Sequence, residues 1–292
     1  MKVLLAIPHV FSPQEGSPYS SQTETKRGLK QEALHKATIG NLNFHRKRHW
    51  IHASLGKDKA VVNRELKTET GIELTIQLYT PQTESLAKKL PDDPDLHHID
   101  PRVDDFSKVP LIASRQLLEQ SENFDIIGYM EDDVIISDPE FFAKILYLDC
   151  CSDGSHTFLP HRCEHIPGRG DVILSGDPDG GRPDLFWDTG EQLNIPWPLG
   201  DRCFYRATNP HSGCYFLTRR QARAVRNYWI GRQWIPPFQL SGPLEQAGSG
   251  TLLPVLKIMK PIPAHYRFLM VRHQDALWKR HLFEERKETN IS

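Results

Sequence analysis

No apolar run in the 292-residue sequence approaches the ~20 residues needed to cross a bilayer, so the sequence offers no candidate for a membrane-spanning helix. The start, Lys2-Val3-Leu4-Leu5-Ala6-Ile7-Pro8, has only a short apolar stretch with no signal-type core or cleavage site, and reads as a first strand. Cysteine is scarce and unpatterned. The five (Cys150, Cys151, Cys163, Cys203, Cys214) are odd in number, two are adjacent, and no Cys-x-x-Cys occurs. That argues against a disulfide framework or a zinc site and fits a reducing compartment. The expected location is cytoplasmic, free or at the periphery of a membrane. Neither sign of charge dominates: 36 Lys and Arg face 37 Asp and Glu. Without a basic field, nucleic acid is not favoured as a partner. Internal repeats and low-complexity tracts are missing. So is a Gly-rich, basic loop after the first strand, since Pro8–Thr25 holds one glycine, Gly16, and no lysine or arginine.

What is present centres on Phe124–Phe142. An apolar run, Ile126–Met130, leads into Glu131-Asp132-Asp133, and Val134-Ile135-Ile136 follows. The run fits a strand buried in a parallel sheet. The acids then sit at its C-terminal end, where open α/β sheets bind ligands. Asp138-Pro139-Glu140 reads as a helix start, with Asp138 as N-cap or Ser137 and Glu140 as a capping box. The three consecutive carboxylates have no such local explanation. They repel one another unless water or a cation relieves them, and hard oxygen ligands suit Mg²⁺ or Mn²⁺. The competing reading is a solvated acidic loop.

Around this centre the pattern predicts an α/β chain. Val3–Ile7 is a strand, and Lys26–Leu42 a helix with Leu29, Ala33, Leu34 and Ala37 on one face. His45–His49 reads as a solvated basic cluster, Trp50–Val62 as a strand and turn, and Glu73–Thr80 as a strand. Pro91–Asp105, with His97 and His98, is expected to be a surface loop. Val109–Ser121 is a helix, and Asp138–Leu148 another. Further strands are expected at Thr157–Glu164, Cys214–Leu217, Val255–Ile262 and Phe268–Asp275. Thr218 is expected to cap a helix over Arg219–Trp229, and Leu244–Ala247 to form a short helix. Gly168–Pro198 reads as loop, with Phe186, Trp187 and Trp197 either stacking on sugar rings or forming a satellite core. Residues 1–292 are read as one domain: a sheet-forming half (1–148), a loop-rich half (149–277) and a charged tail (278–292).

Four segments in this order resemble glycosyltransferases of the GT-A fold. The first is Val3–Val10 with Arg27 and Leu29–Leu34. Next come Tyr129-Met130-Glu131-Asp132-Asp133, similar to the family's acidic "DxD" site in the form Glu-Asp-Asp, and Ser212–Leu217. The last is Gly242-Pro243-Leu244-Glu245 followed by Val271-Arg272-His273. The first acid is Glu where the family has Asp, and Leu244 precedes Glu245 where many relatives carry two acids. The resemblance implies a Rossmann-like, mostly parallel sheet with flanking helices and a loop-rich acceptor half. It also implies transfer of a sugar from a nucleoside-diphosphate donor, UDP- or GDP-linked, to an acceptor hydroxyl on a glycan, lipid-linked or small molecule. Pro8, His9, Val10 and Arg27 would hold the nucleotide. Asp133, Asp132 and His273 would ligate Mn²⁺ or Mg²⁺, while Glu131 reaches the ribose or a metal-bound water. Glu245 would be the base of an inverting reaction. Arg162, Trp187, His211, Ser212 and Gly213 would line the substrate side. Two other readings stand beside it: a sugar-nucleotide nucleotidyltransferase, and a non-catalytic carbohydrate-binding module of the same fold.

Overall fold

The computed structural model describes residues 1–12, 24–46, 49–55, 61–67, 72–83, 85–166, 170–173, 190–207, 210–234 and 242–274. In the first strand, β1 (Lys2–Pro8), every residue after Lys2 is buried. A strand with no solvent-facing side belongs in the middle of a sheet covered on both faces. The chain continues through α1 (Arg27–His35), a π-helical turn (Lys36–Gly40) and α2 (Asn41–His45). An antiparallel pair follows, β2 (His49–Leu55) with β3 (Val61–Lys67), and then β4 (Glu73–Tyr79), β5 (Leu96–Ile99), α3 (Val109–Glu119) and β6 (Ile126–Met130). Next come β7 (Val134–Ile135), α4 (Phe141–Cys151), β8 (His156–Phe158), β9 (His161–Ile166), β10 (Gly170–Ile173), β11 (Gln192–Ile195) and β12 (Arg202–Arg206). The last elements are β13 (Cys214–Thr218), α5 (Arg219–Trp229), α6 (Pro243–Glu245), β14 (Lys257–Pro261) and β15 (Met270–His273).

The central sheet has the order β13-β6-β1-β4-β5. β1 pairs in parallel with β4 and β6, and β5 in parallel with β4. Only β13 runs antiparallel, matching Cys214 to Met130 and Thr218 to Ile126. The fold class is therefore α/β with a mostly parallel central sheet, as the alternation of patterns predicts. Gly128 on β6 is needed for packing. A Cβ there would lie 2.6 Å from Phe216 Cδ1 and 2.7 Å from Leu5 Cδ2. Phe216 in turn meets Phe141 and Phe142 edge-on, at centroid distances of 4.8 and 6.0 Å. Each such fully buried aromatic contributes about 1.5–3 kcal/mol from burial.

Several local expectations shift. Leu29 is 62% exposed, so the inner face of α1 is carried by Lys30, Ala33 and Leu34 instead. His45 is no part of a solvated basic patch: it is buried and donates from Nε2 to the Ile136 carbonyl (2.9 Å), while Arg46 forks onto Asp93 (2.9 and 3.0 Å). Lys47 and Arg48 lie outside the described residues. Pro91–Asp105 contains β5, an edge strand on which His97 and His98 are exposed. α4 begins at Phe141, three residues late. Asp138 still closes the preceding turn, because its Oδ1 accepts the Glu140 N–H (2.9 Å) and its Oδ2 pairs with Lys144 (2.6 Å). Thr157–Glu164 is two strands in two different sheets, broken at Leu159-Pro160. The second half is less loop-rich than expected, since β10, β11 and β12 all fall in stretches without a clear alternating pattern. Trp197 packs edge-on against Tyr147 and Phe268 (5.3 and 4.9 Å) and so lies against the main hydrophobic core, not in a satellite one.

Candidate metal and nucleotide site

The acids follow β6 in a tight turn, where the Val134 N–H bonds back to the Glu131 carbonyl (3.3 Å). Within the turn Glu131 and Asp133 gather with His273, while Asp132 reaches back to β1. Asp132 Oδ2 meets His9 Nδ1 at 2.6 Å, at the end of β1. The Leu86 N–H donates to His9 Nε2 (3.0 Å), so Nδ1 carries the proton that Asp132 receives. Both ring nitrogens of His9 are thus engaged within the protein. Pro8, beside it, closes β1 opposite Tyr79, and Val10 is half-buried.

Glu131 and Asp133 are buried, at 8% and 5% exposure. A second, four-stranded sheet, β10-β9-β15-β7, places their partner. β7 starts directly after the acids and pairs antiparallel with β15, matching Val134 to His273. The Gln274 N–H extends this pairing to the Asp133 carbonyl (2.9 Å). His273 Nε2 consequently faces Asp133 Oδ2 at 3.5 Å. Its Nδ1 donates to Glu164 Oε1 (2.9 Å) on β9, a carboxylate 1% exposed. The arrangement is the carboxylate–histidine pairing that orients metal-binding imidazoles. Glu131, Asp133 and His273 each offer one ligand atom, and these atoms lie within 4.8 Å of one another.

Two features test whether a divalent ion suits these residues. Asp133 Oδ1 is buried with no hydrogen-bond partner among the described residues, a costly state unless something else supplies one. The charge balance leans the same way: Glu131, Asp132, Asp133, Glu164 and Glu245 gather here against Lys30, Arg162 and Lys260. Two carboxylates and an imidazole suit Mn²⁺ better than Mg²⁺. Burial by itself would raise the pKa of Asp133. The Lys30 ammonium and His273 more than reverse this, with help from Arg162, and hold the carboxyl below its usual range. Burial likewise opposes ionisation of Glu131, and its hydrogen bond and attraction to His211, with Arg162 behind, lower its pKa on balance.

His211 links this cluster to Glu245. Its Nε2 is 3.3 Å from Glu131 Oε1 and 3.9 Å from Glu245 Oε1, and its carbonyl accepts from Lys260 Nζ (2.8 Å). Glu245 ends α6 just before a π-helical turn (Gln246–Gly250), with its side chain 27% exposed. Gly213 has φ +66°, and its carbonyl accepts the Glu131 N–H (2.8 Å). A Cβ there would lie 3.0 Å from Glu131 Oε2, so a side chain would press on the acid as well as strain the backbone. Ser212 is buried, and its hydroxyl has no partner among the described residues.

The structure thus brings Glu131, Asp133, His273, His211, Gly213 and Glu245 together, with Asp132 held back on His9. Arg162, on β9, acts on Glu131 and Asp133 through charge. Arg27 stands apart from the acids at the start of α1, paired with Glu24 and with its guanidinium 4.7 Å over the Phe11 ring. Trp187 lies outside the described residues. Two residues not singled out from the sequence join the site: Glu164, and Lys30, whose Nζ is 3.2 Å from Asp133 Oδ2 and 4.0 Å from Asp132 Oδ1. The one available signal for Lys30 was its spacing three and four residues before Ala33 and Leu34, on the buried face of α1.

No protein-family model matches the sequence, and no curated protein matches it. Solved structures do match. Against S. aureus TarS 1-349 the identity is 13% and the TM-score 0.43, covering 89% of this chain and 58% of that one. Against GalNAc-T7, crystallised with UDP, GalNAc and Mn²⁺, they are 10% and 0.46, covering 93% and 43%. Against 4-diphosphocytidyl-2C-methyl-D-erythritol synthase they are 8% and 0.38, covering 88% and 87%. The chain spans about half the length of TarS 1-349 and GalNAc-T7, and with every TM-score below 0.5 nothing about the site follows from the likeness. Among the described residues, no helix is long and apolar enough to cross a membrane.

Proposed function

We propose that the chain is a metal-dependent GT-A-like glycosyltransferase that moves a sugar from a nucleoside-diphosphate donor to an acceptor hydroxyl. One observation carries this reading. A buried Glu131–Asp133–His273 cluster with an unsatisfied carboxylate oxygen sits where the parallel strands β1 and β6 end, the ligand-binding edge of such sheets. Asp133 and His273 would hold the ion with Glu131 beside them, and a bound Mn²⁺ or Mg²⁺ would supply Lewis-acid stabilisation of the leaving diphosphate. Glu164 keeps the proton of His273 on Nδ1, so that Nε2 is free to ligate. His9 holds Asp132 away from that cluster, on the side where Pro8, Val10 and Arg27 would face the nucleotide. Glu245, part-exposed at the far side of His211, would take the proton of the acceptor hydroxyl in an inverting reaction. Ser212 and Gly213 would border the acceptor.

The test is a panel of nucleotide sugars with Mn²⁺, Mg²⁺ or EDTA, read by thermal shift and by donor hydrolysis. The expected result is metal-dependent stabilisation by one donor and release of a nucleoside diphosphate. Absence of binding by every donor in every metal would overturn the proposal. Release of inorganic pyrophosphate from a nucleoside triphosphate would point instead to nucleotidyl transfer.

A further inference from the structure

Lys30 stands where an incoming cation would have to be received. Its ammonium is 3.2 Å from Asp133 Oδ2, the same oxygen that faces His273 Nε2 at 3.5 Å, and 4.0 Å from Asp132 Oδ1. A divalent ion bound through Asp133 and an ammonium sharing that carboxylate would repel each other strongly. The two therefore compete for Oδ2, the oxygen turned to His273. The side chains also differ in exposure: Lys30 and Asp132 are 15% and 18% exposed, against 7% for Asp133 and His273. The Lys30–Asp132 side of Asp133 is thus more open than the His273 side. A compact ammonium on a flexible four-carbon stem can change partners there.

We propose that Lys30 is an exchangeable resident cation: it neutralises Asp133 while the metal is absent, yields that carboxylate to a divalent ion, and turns to the diphosphate of the donor. This rests on the metal-dependent reading above. It adds that metal and diphosphate binding are positively coupled through Lys30, because the metal displaces the ammonium and the diphosphate gives it a new partner.

The experiment compares the full chain with Lys30→Met and Lys30→Gln, the latter able to hydrogen-bond Asp133 without a charge. Each is titrated with Mn²⁺ alone, with inorganic pyrophosphate alone, and with pyrophosphate in saturating Mn²⁺. Removing the resident charge should tighten Mn²⁺ about tenfold, the effect of losing one hydrogen-bonded charged competitor. It should weaken pyrophosphate in Mn²⁺ by a similar factor and leave metal-free pyrophosphate binding unchanged. These opposite signs are the signature, and a lysine that only stabilises the fold would not produce them. Unchanged or weaker Mn²⁺ binding in the folded variants would overturn the role of Lys30 and leave the metal site standing. Loss of metal-free pyrophosphate binding would also overturn it, showing a lysine already committed to phosphate. If the unaltered chain binds no Mn²⁺, the metal-dependent reading itself fails.

Discussion

Replacing Glu164 by glutamine isolates what a buried carboxylate does for an imidazole it touches. The change keeps shape and volume and removes one charge from a side chain 1% exposed. In the unaltered protein Glu164 Oε1 accepts the His273 Nδ1 proton at 2.9 Å, leaving Nε2 turned to Asp133. If the glutamine oxygen takes that place, a charge-assisted bond of about 1.5–3 kcal/mol becomes a neutral one of about 0.5–1.5 kcal/mol. The loss of about 1–1.5 kcal/mol corresponds to about tenfold in Mn²⁺ affinity. If the amide nitrogen turns inward instead, Nδ1 must accept, the proton moves to Nε2, and the ring stops being a ligand. The expected fall is therefore about 10- to 100-fold, the range for residues that orient metal ligands. Calorimetric titration of Mn²⁺ measures it. The metal-free melting temperature is read alongside, and it should fall at pH values where His273 is charged, because the variant strips the buried imidazolium of one of its two carboxylates. Unchanged Mn²⁺ affinity would refute the claim that Glu164 prepares His273 for a metal.

Three further outcomes are expected. Glu245→Gln should preserve donor affinity and lower transfer by about 100-fold or more if Glu245 is the base; near-normal turnover would remove it from that role. His273 titrates above its usual value, because Asp133 and Glu164, helped by Glu131, outweigh burial and the nearby Arg162. The charged ring then stabilises the metal-free protein fully below the ordinary value of 6.5, and that contribution is lost as pH rises through the raised value. Mn²⁺ requires the neutral ring, so its affinity should climb over the same interval while metal-free stability falls; a flat affinity profile would contradict this. Gly128→Ala should cost about 1–3 kcal/mol in denaturant unfolding, since the new methyl group meets Phe216 and Leu5 at less than contact distance. Wild-type stability would show that β6 yields there.

How much of this was legible in the sequence depended on the range of the interaction. β1, β4, α3 and the β13–α5 junction were read closely because their signals are local. Thr218 and Gln221 form a reciprocal capping box three residues apart, visible in the sequence as a threonine at the helix start. The start of α4 was misplaced because Asp138-Pro139 carries a helix-start signal yet closes a turn before the helix. The basic run at His45–His49 misled for a different reason. His45 is pulled inward by a carbonyl 91 positions away, which no local pattern encodes. The same limit hid Glu164 and Lys30. Their significance comes from β7 meeting β15 and from the inward face of α1, pairings between distant segments that composition does not specify. The acids themselves stood out because three adjacent carboxylates after a buried strand have no cheap structural explanation.

The antiparallel strand β13 has a consequence for synthesis. When β6 leaves the ribosome its outer edge has no partner, and the chain must grow through α4 and the six strands β7–β12 before β13 can cover it. Until then an apolar edge strand is open to pairing with another nascent chain. A fragment ending near Leu148 would keep that edge permanently and also lack β15, so it would carry the acids without their histidine. A fragment of residues 1–148 is therefore expected to be recovered as aggregates.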